Sequence, residues 1–393
     1  MKMNKLVKGG LAAVMCLALA ACESGAQGGG SSEQPAADTG YTAAGDLSSY
    51  TIGTGGPTSG DLAVYGGAVT NAAALAVKDW NEAHGTNIKC EIQDTTGDAT
   101  QAVNIYNKFV SDTKVAGIIG MTVSGESIAV AGASADTMVP IISPSATAEA
   151  FTADAGANVF RACYTDPQQA ALIADFAYDT LGLRKAAVLY NSDDDYSVGL
   201  CTSFEEEFQA KGGELALKSE AFGTDDTNFS TQLTKIAAAQ PDVLFIPNYY
   251  EKDVMIATQA RDLGIDAQFI GCDGWDGVLE VASASDLASL EGAVFINQYS
   301  PDMESVQAIM EEYQAEYGQP INSFGINSYD ATMCLLEAIE AANSLNAADI
   351  NAQLAKIEHK GILGTLKFDE TGDPIKTPVY VTIKDGKYVS YGK

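Results

Sequence analysis

"VAGIIGMTVSGES", residues 115–127, sets an unbroken apolar run against a polar loop and then the start of a helical pattern. An apolar run without alternation reads as a strand covered on both faces, as in a parallel sheet. A helix directly after such a strand makes a βαβ unit. The neighbouring segments repeat this rhythm. "YTIGTGG" precedes a helical pattern from about Asp61 to Ala83, "NIKCEIQD" one from about Ala99 to Val110, and "VAGIIG" one from Ser124 to about Thr137, and "VPIISPS" closes the set. After "VFRACYTDPQ" the alternation resumes with "KAAVLYN", "ELALKSE", "PDVLFIPN" and "DAQFIGC" as strands, and with helical patterns from Asp195, Asn228 and Glu251 between them. "EGAVFINQYSPD" leads into three helical stretches starting near Met303, Ser328 and Ala347. The chain ends in a strand-rich segment with turns at Thr371-Gly372 and Asp385-Gly386.

The expected fold class is therefore α/β, with two Rossmann-like lobes of parallel sheet. The chain crosses between them near Arg161 to Thr165, Asn297 to Tyr299 and Gly364 to Lys367, a three-crossing hinge. Residues 50–162 and 299–364 would build lobe 1, and residues 163–298 and 365–393 lobe 2. In open α/β sheets, ligands bind beyond the carboxyl ends of the strands, so facing lobes would hold a ligand in a cleft.

The first residues speak of location. Lys2, Lys5 and Lys8, the apolar "LAAVMCLALA" and the small residues before Cys22 form the three parts of an export signal. The apolar part is too short for a spanning helix, which needs about 20 residues. "LAAC" resembles the lipobox of bacterial lipoproteins, so residues 1–21 are expected to be removed and Cys22 acylated. Residues 22–49 hold almost no large apolar side chain and read as a flexible tether. Removal of residues 1–21 takes three lysines and no acid, so the formal charge of −30 becomes −33. So acidic a body is repelled by nucleic acid, which is not an expected partner.

Beyond Cys16 and Cys22, the cysteines are Cys90, Cys163, Cys201, Cys272 and Cys334, an odd number without a Cys-x-x-Cys pair. They read as small buried residues rather than as zinc or redox groups. The two histidines, His84 and His359, look like helix-end or surface residues. No nucleophile elbow, dinucleotide fingerprint or zinc-spaced His/Glu pair is present, so neither an enzyme nor a cofactor is expected. "NSDDDYSVGLCT" begins like a calcium loop, but Tyr196 occupies the turn position that needs glycine and Thr202 the position of the bidentate acid, so no metal is expected.

At the strand ends the residue types become selective. Ser124 would stand at a helix N-cap, where its hydroxyl and free N–H groups favour an anion such as a carboxylate. Ser145 to Thr147, including Ala146, follow "VPII" and offer hydroxyls and backbone groups. An ordinary cap or turn would use the same residues. The second half delivers Tyr196, Tyr249 and the loop "GCDGWDG", residues 271–277, with Asp273 and Trp275. Donors for a carboxylate, an acid for an ammonium and rings that exclude water together suit a zwitterion with an apolar side chain.

"GPTSGDLAVYGGAVTNAAALAVKDWN", "IIGMTVSGES", "IISPSATAEAFT", "RACYTDPQQ", "DDYSVG" and "ATQARDLGI" resemble the leucine/isoleucine/valine-binding proteins of ABC importers, which have the type I periplasmic binding protein fold. The resemblance runs from Tyr50 to Lys393 and implies a small amino acid as ligand, branched-chain or otherwise apolar. It places Ser124 on the ligand carboxylate, Ser145 and Thr147 on both carboxylate and ammonium, and Asp273 on the ammonium. Tyr196 and Tyr249 would close over the ligand, and Tyr65 and Phe324 would line the side-chain pocket. The sequence departs from the family's Gram-negative members at Val123, where one cysteine of a disulfide would stand, and at Trp275, which is bulkier than their residue. The implied partners are a permease and its ATPase. The implied location is the outer face of a Gram-positive cytoplasmic membrane, with a lipid anchor and a monomeric body. A sensor subunit, or a binder of an amide or short peptide, would keep the same fold.

Overall fold

The computed structural model describes residues 40–153 and 155–392. The export signal, Cys22 and most of the expected tether lie outside them. In the first sheet, β1 (Gly45–Asp46) runs antiparallel to the start of β2 (Ser49–Gly56). Beside β2 lie β3 (Lys89–Asp94) on one side and, on the other, β4 (Ile118–Ile119), β5 (Ile141–Ser143) and β6 (Val159–Arg161), all parallel. The second sheet has β7 (Lys185–Asn191), β8 (Glu214–Leu215), β9 (Glu220–Phe222), β10 (Val243–Phe245), β11 (Gln268–Gly271) and β12 (Val294–Asn297). These are parallel, with β8 and β9 both on β7; "ELALKSE" thus supplies two short pairings where one strand was expected. A small hairpin, β13 (His359–Gly361) with β14 (Gly364–Leu366), stands apart. The terminal hairpin of β15 (Val379–Lys384) and β16 (Lys387–Ser390) joins β12 antiparallel.

The apolar runs become sheet interiors, as expected from their lack of alternation. Ile52, Ile119 and Ile142 of the first sheet pack with Leu335 and Ile339 of helix Ser323–Ala342. Val188, Phe245, Ile270 and Ile296 of the second sheet pack with Leu200 and Phe204 of helix Asp195–Ala210. A third cluster spans the two lobes: Tyr65, Val69 and Phe324 share it with Ile246, Phe269 and Trp275.

Several expectations shift. Residues 41–48 are not tether: the Tyr41 hydroxyl donates to Val115 O at 2.9 Å, Ala43 N donates to Leu345 O at 3.0 Å, and β1 pairs with β2. One aromatic and a few backbone bonds suffice to order a stretch that composition alone reads as solvated. Helix Ser323–Ala342 starts before Ser328 because Asn322 caps it, accepting from Gly325 N at 3.1 Å. Around the first two crossings, Tyr164 belongs to the second core and Tyr299 packs with residues of helix Ala63–His84. The third comes later than Gly364–Lys367: Leu366 and Phe368 still pack in the first core, and Val379 opens β15 in the second sheet. The hairpin β13–β14 keeps the chain on the first lobe for these extra residues.

Candidate functional site

Loops from both sheets converge between the lobes. On the first lobe, Val123 rather than Ser124 is the helix N-cap, and Ser124 is the first residue of helix Ser124–Ala133. Val123 is the extended residue, at φ −101°, ψ 156°, so the helix starts one residue earlier than a cap at Ser124 would set. The Ser124 hydroxyl oxygen accepts from Ala148 N at 3.2 Å, which leaves its proton available to a carboxylate. Ser145 donates to Thr122 O at 2.6 Å, latching the loop after β5 to the loop after β4. The Ala146 carbonyl accepts from Arg161 Nη1 at 2.9 Å. Thr147 is fully buried, its side chain beside the Asp166 carboxylate.

Arg161 is the organiser of this loop. Fully buried, it also donates to Ala148 O at 3.1 Å and Thr152 Oγ1 at 2.6 Å, and its Nε meets Asp373 Oδ1 at 2.6 Å. The strand "VFR" was read only as a hinge element. A lone arginine in an apolar strand, in a chain with few cations, was the signal that could have found it.

From the second lobe come Tyr196, Tyr249 and Asp273. The Tyr196 hydroxyl donates to Asp273 Oδ1 at 2.9 Å and accepts from Gly274 N at 3.0 Å. Its ring stacks on Tyr249 with centroids 5.0 Å apart and planes 9° from parallel. The Tyr249 hydroxyl reaches Asp194 Oδ1 at 3.2 Å. Asp273 is buried, and burial pushes its carboxyl up to about 6 against the pull of the Tyr196 hydroxyl and the Gln169 side chain. The loop geometry explains two glycines by crowding: a Cβ on Gly271 would lie 2.0 Å from Trp275 Cδ1, and one on Gly274 would lie 2.3 Å from Asn248 O. Of the loop's three glycines, only Gly277, at φ +141°, needs the conformational freedom of glycine.

Two residues of this loop play other parts than expected. Trp275 turns away into the apolar cluster, its indole donating to Ile246 O at 2.9 Å, and it is not part of a cavity wall. A large ring beside a backbone carbonyl at the end of β10 gains more from burial than from a place on the cleft. Asp276 does not cap the following helix; its Oδ2 accepts from Ser323 N at 2.7 Å, at the start of the long helix of the other lobe. Tyr65 and Phe324 lie together, ring centroids 4.5 Å apart, and Tyr65 donates to Gly274 O while accepting from Tyr250 N at 3.2 Å. The lobes are thus bonded to one another across the site.

A cavity of about 280 Å³ opens beside these groups, lined by Val123 and Gly125 of the first lobe and Asp194 and Tyr249 of the second. Of the expected ligand residues only Tyr249 is on its wall. The polar groups themselves are sealed, as contact between the lobes would make them. Among the described residues no cluster of side chains could hold a metal ion.

The sequence pattern of periplasmic binding proteins matches residues 49–387. The chain belongs to this family. Within it, the binding protein is 31% identical over 354 residues to the Leu/Ile/Val-binding protein homolog 1 of Brucella abortus (strain 2308), covering 86% of this chain and 92% of that one. The fold is similar to that of the leucine binding protein LivK of Thermotoga maritima, with a TM-score of 0.80 and 30% identity over 87% of this chain and 98% of that one. It is equally similar, at a TM-score of 0.80 and 28% identity over 87% and 99%, to the branched-chain amino acid binding protein LivJ of Streptococcus pneumoniae, solved with isoleucine. These relatives are solute-binding proteins, not enzymes, and the two-lobed type I architecture is theirs and this chain's alike.

Proposed function

We propose that the chain binds a small amino acid, branched-chain or otherwise apolar, between its closing lobes and delivers it to an ABC permease. The observation that carries this reading is a split set of buried polar groups, the Ser124 and Thr147 hydroxyls on one lobe and the Asp273 carboxylate, with no cation paired to it among the described residues, on the other. A buried carboxylate without a cation is costly, so an ammonium is the fitting occupant beside Asp273. Ser124 and the N–H groups of its helix suit the carboxylate of the same ligand. Tyr196 and Tyr249 exclude water over the head group, with Ser145 and Ala146 holding the loop and Tyr65 and Phe324 bounding the apolar end. Only contacts made with both lobes favour the closed form, so binding shifts the population toward closure.

Export by the signal in residues 1–21, acylation of Cys22 and attachment to the outer face of a Gram-positive membrane complete the proposal. Among the described residues no helix is long and apolar enough to cross a membrane. The lobe boundaries are proposed near residues 162, 298 and 368.

The test is a thermal-shift screen of the body, unfolded and refolded to strip carried-over ligand, against the common amino acids, small amides and short peptides. A ligand at about 100 times its Kd adds roughly 2.7 kcal/mol. A shift confined to apolar amino acids, abolished in Asp273→Ala with the fold intact, is the expected result. Binding that survives Asp273→Ala, or shifts by amides alone, would overturn the reading.

A further inference from the structure

The loop after β5 is held in place by its backbone carbonyls. Pro144 O accepts from Asn327 Nδ2 at 3.0 Å, and Ala146 O from Arg161 Nη1 at 2.9 Å and the Cys163 thiol at 3.4 Å. Thr147 O accepts from Asp166 N at 2.8 Å, and Ala148 O from Arg161 Nη1 at 3.1 Å. In a planar trans peptide the N–H points opposite to the C=O. Carbonyls fixed on one side therefore aim the N–H groups of the same peptides to the other. Ala148 N is one of these, and it meets the Ser124 hydroxyl oxygen at 3.2 Å.

The two side chains that grip this loop, Arg161 and Asn327, are themselves set by a distant part of the chain. Residues 369–378 lead from Phe368 in the first core to β15 in the second sheet. On this segment Asp373 Oδ1 accepts from Arg161 Nε at 2.6 Å and from Thr152 Oγ1 at 2.9 Å. Three residues on, Lys376 Nζ donates to Asn327 Oδ1 at 3.2 Å. The ammonium has no acceptor, so it takes the amide oxygen and leaves the amide nitrogen for Pro144 O. The segment lies along the first crossing, where Arg161 N donates to Gly372 O at 3.0 Å and the Tyr164 hydroxyl to Thr377 O at 2.7 Å. Gly372 stands at φ +88°, and a Cβ on it would lie 2.4 Å from Val159 O, so this approach requires glycine.

We infer that Asp373 and Lys376 are positioning residues for the ligand: through Arg161 and Asn327 they orient the peptides of the loop after β5, and with them the groups that hold the ligand's carboxylate. The inference rests on the amino-acid reading above. Lys376 acts on Pro144 and Asp373 on Ala146 and Ala148, so the segment holds the loop from both ends through separate intermediaries. By taking the Ser124 oxygen as acceptor, Ala148 N turns the hydroxyl proton toward the carboxylate. A carbonyl released from its donor lets its peptide turn, and a turned peptide presents an oxygen where the carboxylate needs an N–H. Asp273, the partner of the ammonium, stands on another loop, so the loss falls on the carboxylate end of the ligand.

The experiment is calorimetric titration of the refolded protein with L-leucine, L-valine and L-alanine, and with the primary amide of the tightest of them, which keeps the ammonium and the side chain and lacks the carboxylate. Wild type is expected to prefer the acid to its amide by about tenfold or more. Lys376→Met keeps the apolar stem and removes the donor. It should weaken the acid about fivefold or more and the amide by less than about twofold, narrowing the preference, and Lys376→Arg should restore it. Asp373→Asn should act in the same direction. It also leaves the Arg161 charge buried and unpaired, so Lys376→Met decides the matter if that variant does not fold. A residue that served the fold alone would lower the melting temperature and leave the ratio of acid to amide at its wild-type value. A ratio unchanged in Lys376→Met, or narrowed as far in Lys376→Arg, would overturn the inference while leaving the amino-acid reading in place. Failure of wild type to bind any of the amino acids would overturn both.

Discussion

Asp273 is the residue on which the chemistry turns, and its environment makes a signed prediction. Burial raises its carboxyl to about 6, so at neutral pH it is largely ionised and ready for an ammonium. Below that value the proton must leave before the ammonium can bind. Amino-acid affinity should be flat from about pH 8 to 7 and then fall about tenfold per unit below about pH 6, with a proton released on binding. Calorimetry in buffers of different ionisation enthalpy reads that proton directly. Affinity independent of pH between 8 and 5 would remove Asp273 as the ammonium's partner. Residue identity at Asp273, Ser124 and Thr147 was legible because each follows an apolar strand, where a parallel sheet presents its loops. Arg161 was harder to see. Its role depends on what surrounds it in the fold, and a chain read in one dimension does not show the loop carbonyls of Ala146 and Ala148 around it.

At the scale of elements, the loop after β11 does more than deliver one acid. It reaches the other lobe through Asp276, whose carboxylate receives Ser323 N at the positive end of helix Ser323–Ala342, and through Gly274 O, which receives the Tyr65 hydroxyl. Asn297 Nδ2 adds a bond to the same Asp276 oxygen at 3.2 Å. The two bonds from Ser323 and Tyr65 exist only with the lobes together, so they stabilise closure without touching ligand, while Asn297 holds Asp276 in place from its own lobe. Asp276→Ala should therefore weaken ligand binding by about 1–2 kcal/mol, the range for a lost helix cap or charged hydrogen bond. It should do so with the ligand's head-group chemistry, including its pH dependence, unchanged. Wild-type affinity in Asp276→Ala would place the closing force elsewhere. Strand and helix rhythm foretold the sheets because burial on two faces leaves a mark in composition. Which helix a loop acid caps leaves no such mark: Asp276 stands just before one helix in the chain and meets the start of another, begun by Ser323. Trp275 misled for a related reason, since a ring in a loop is equally apt for a wall or a core and the backbone carbonyl of Ile246 decided it.

For the whole molecule, the ligand-free body carries several buried carboxylates, among them Glu126, Asp166, Asp253 and Asp273. Burial raises all four, Glu126 to about 7. With folded values above unfolded ones, the native state binds more protons than the unfolded state between about pH 4 and 7, so stability falls as pH rises through that window. A net charge of −30 works in the same direction through self-repulsion. The ligand-free slope alone therefore cannot assign the effect to the site, but the ligand can. An ammonium relieves Asp273 and leaves Glu126, Asp253 and the surface charge as they were. The stabilisation by saturating L-leucine should consequently be larger at pH 7.5 than at pH 5, and the difference should shrink in Asp273→Asn. Thermal unfolding at the two pH values, with and without ligand, measures it. An increment equal at both would mean that the buried acids of the cleft do not meet the ligand's charge, and the closing of the lobes would need another cause.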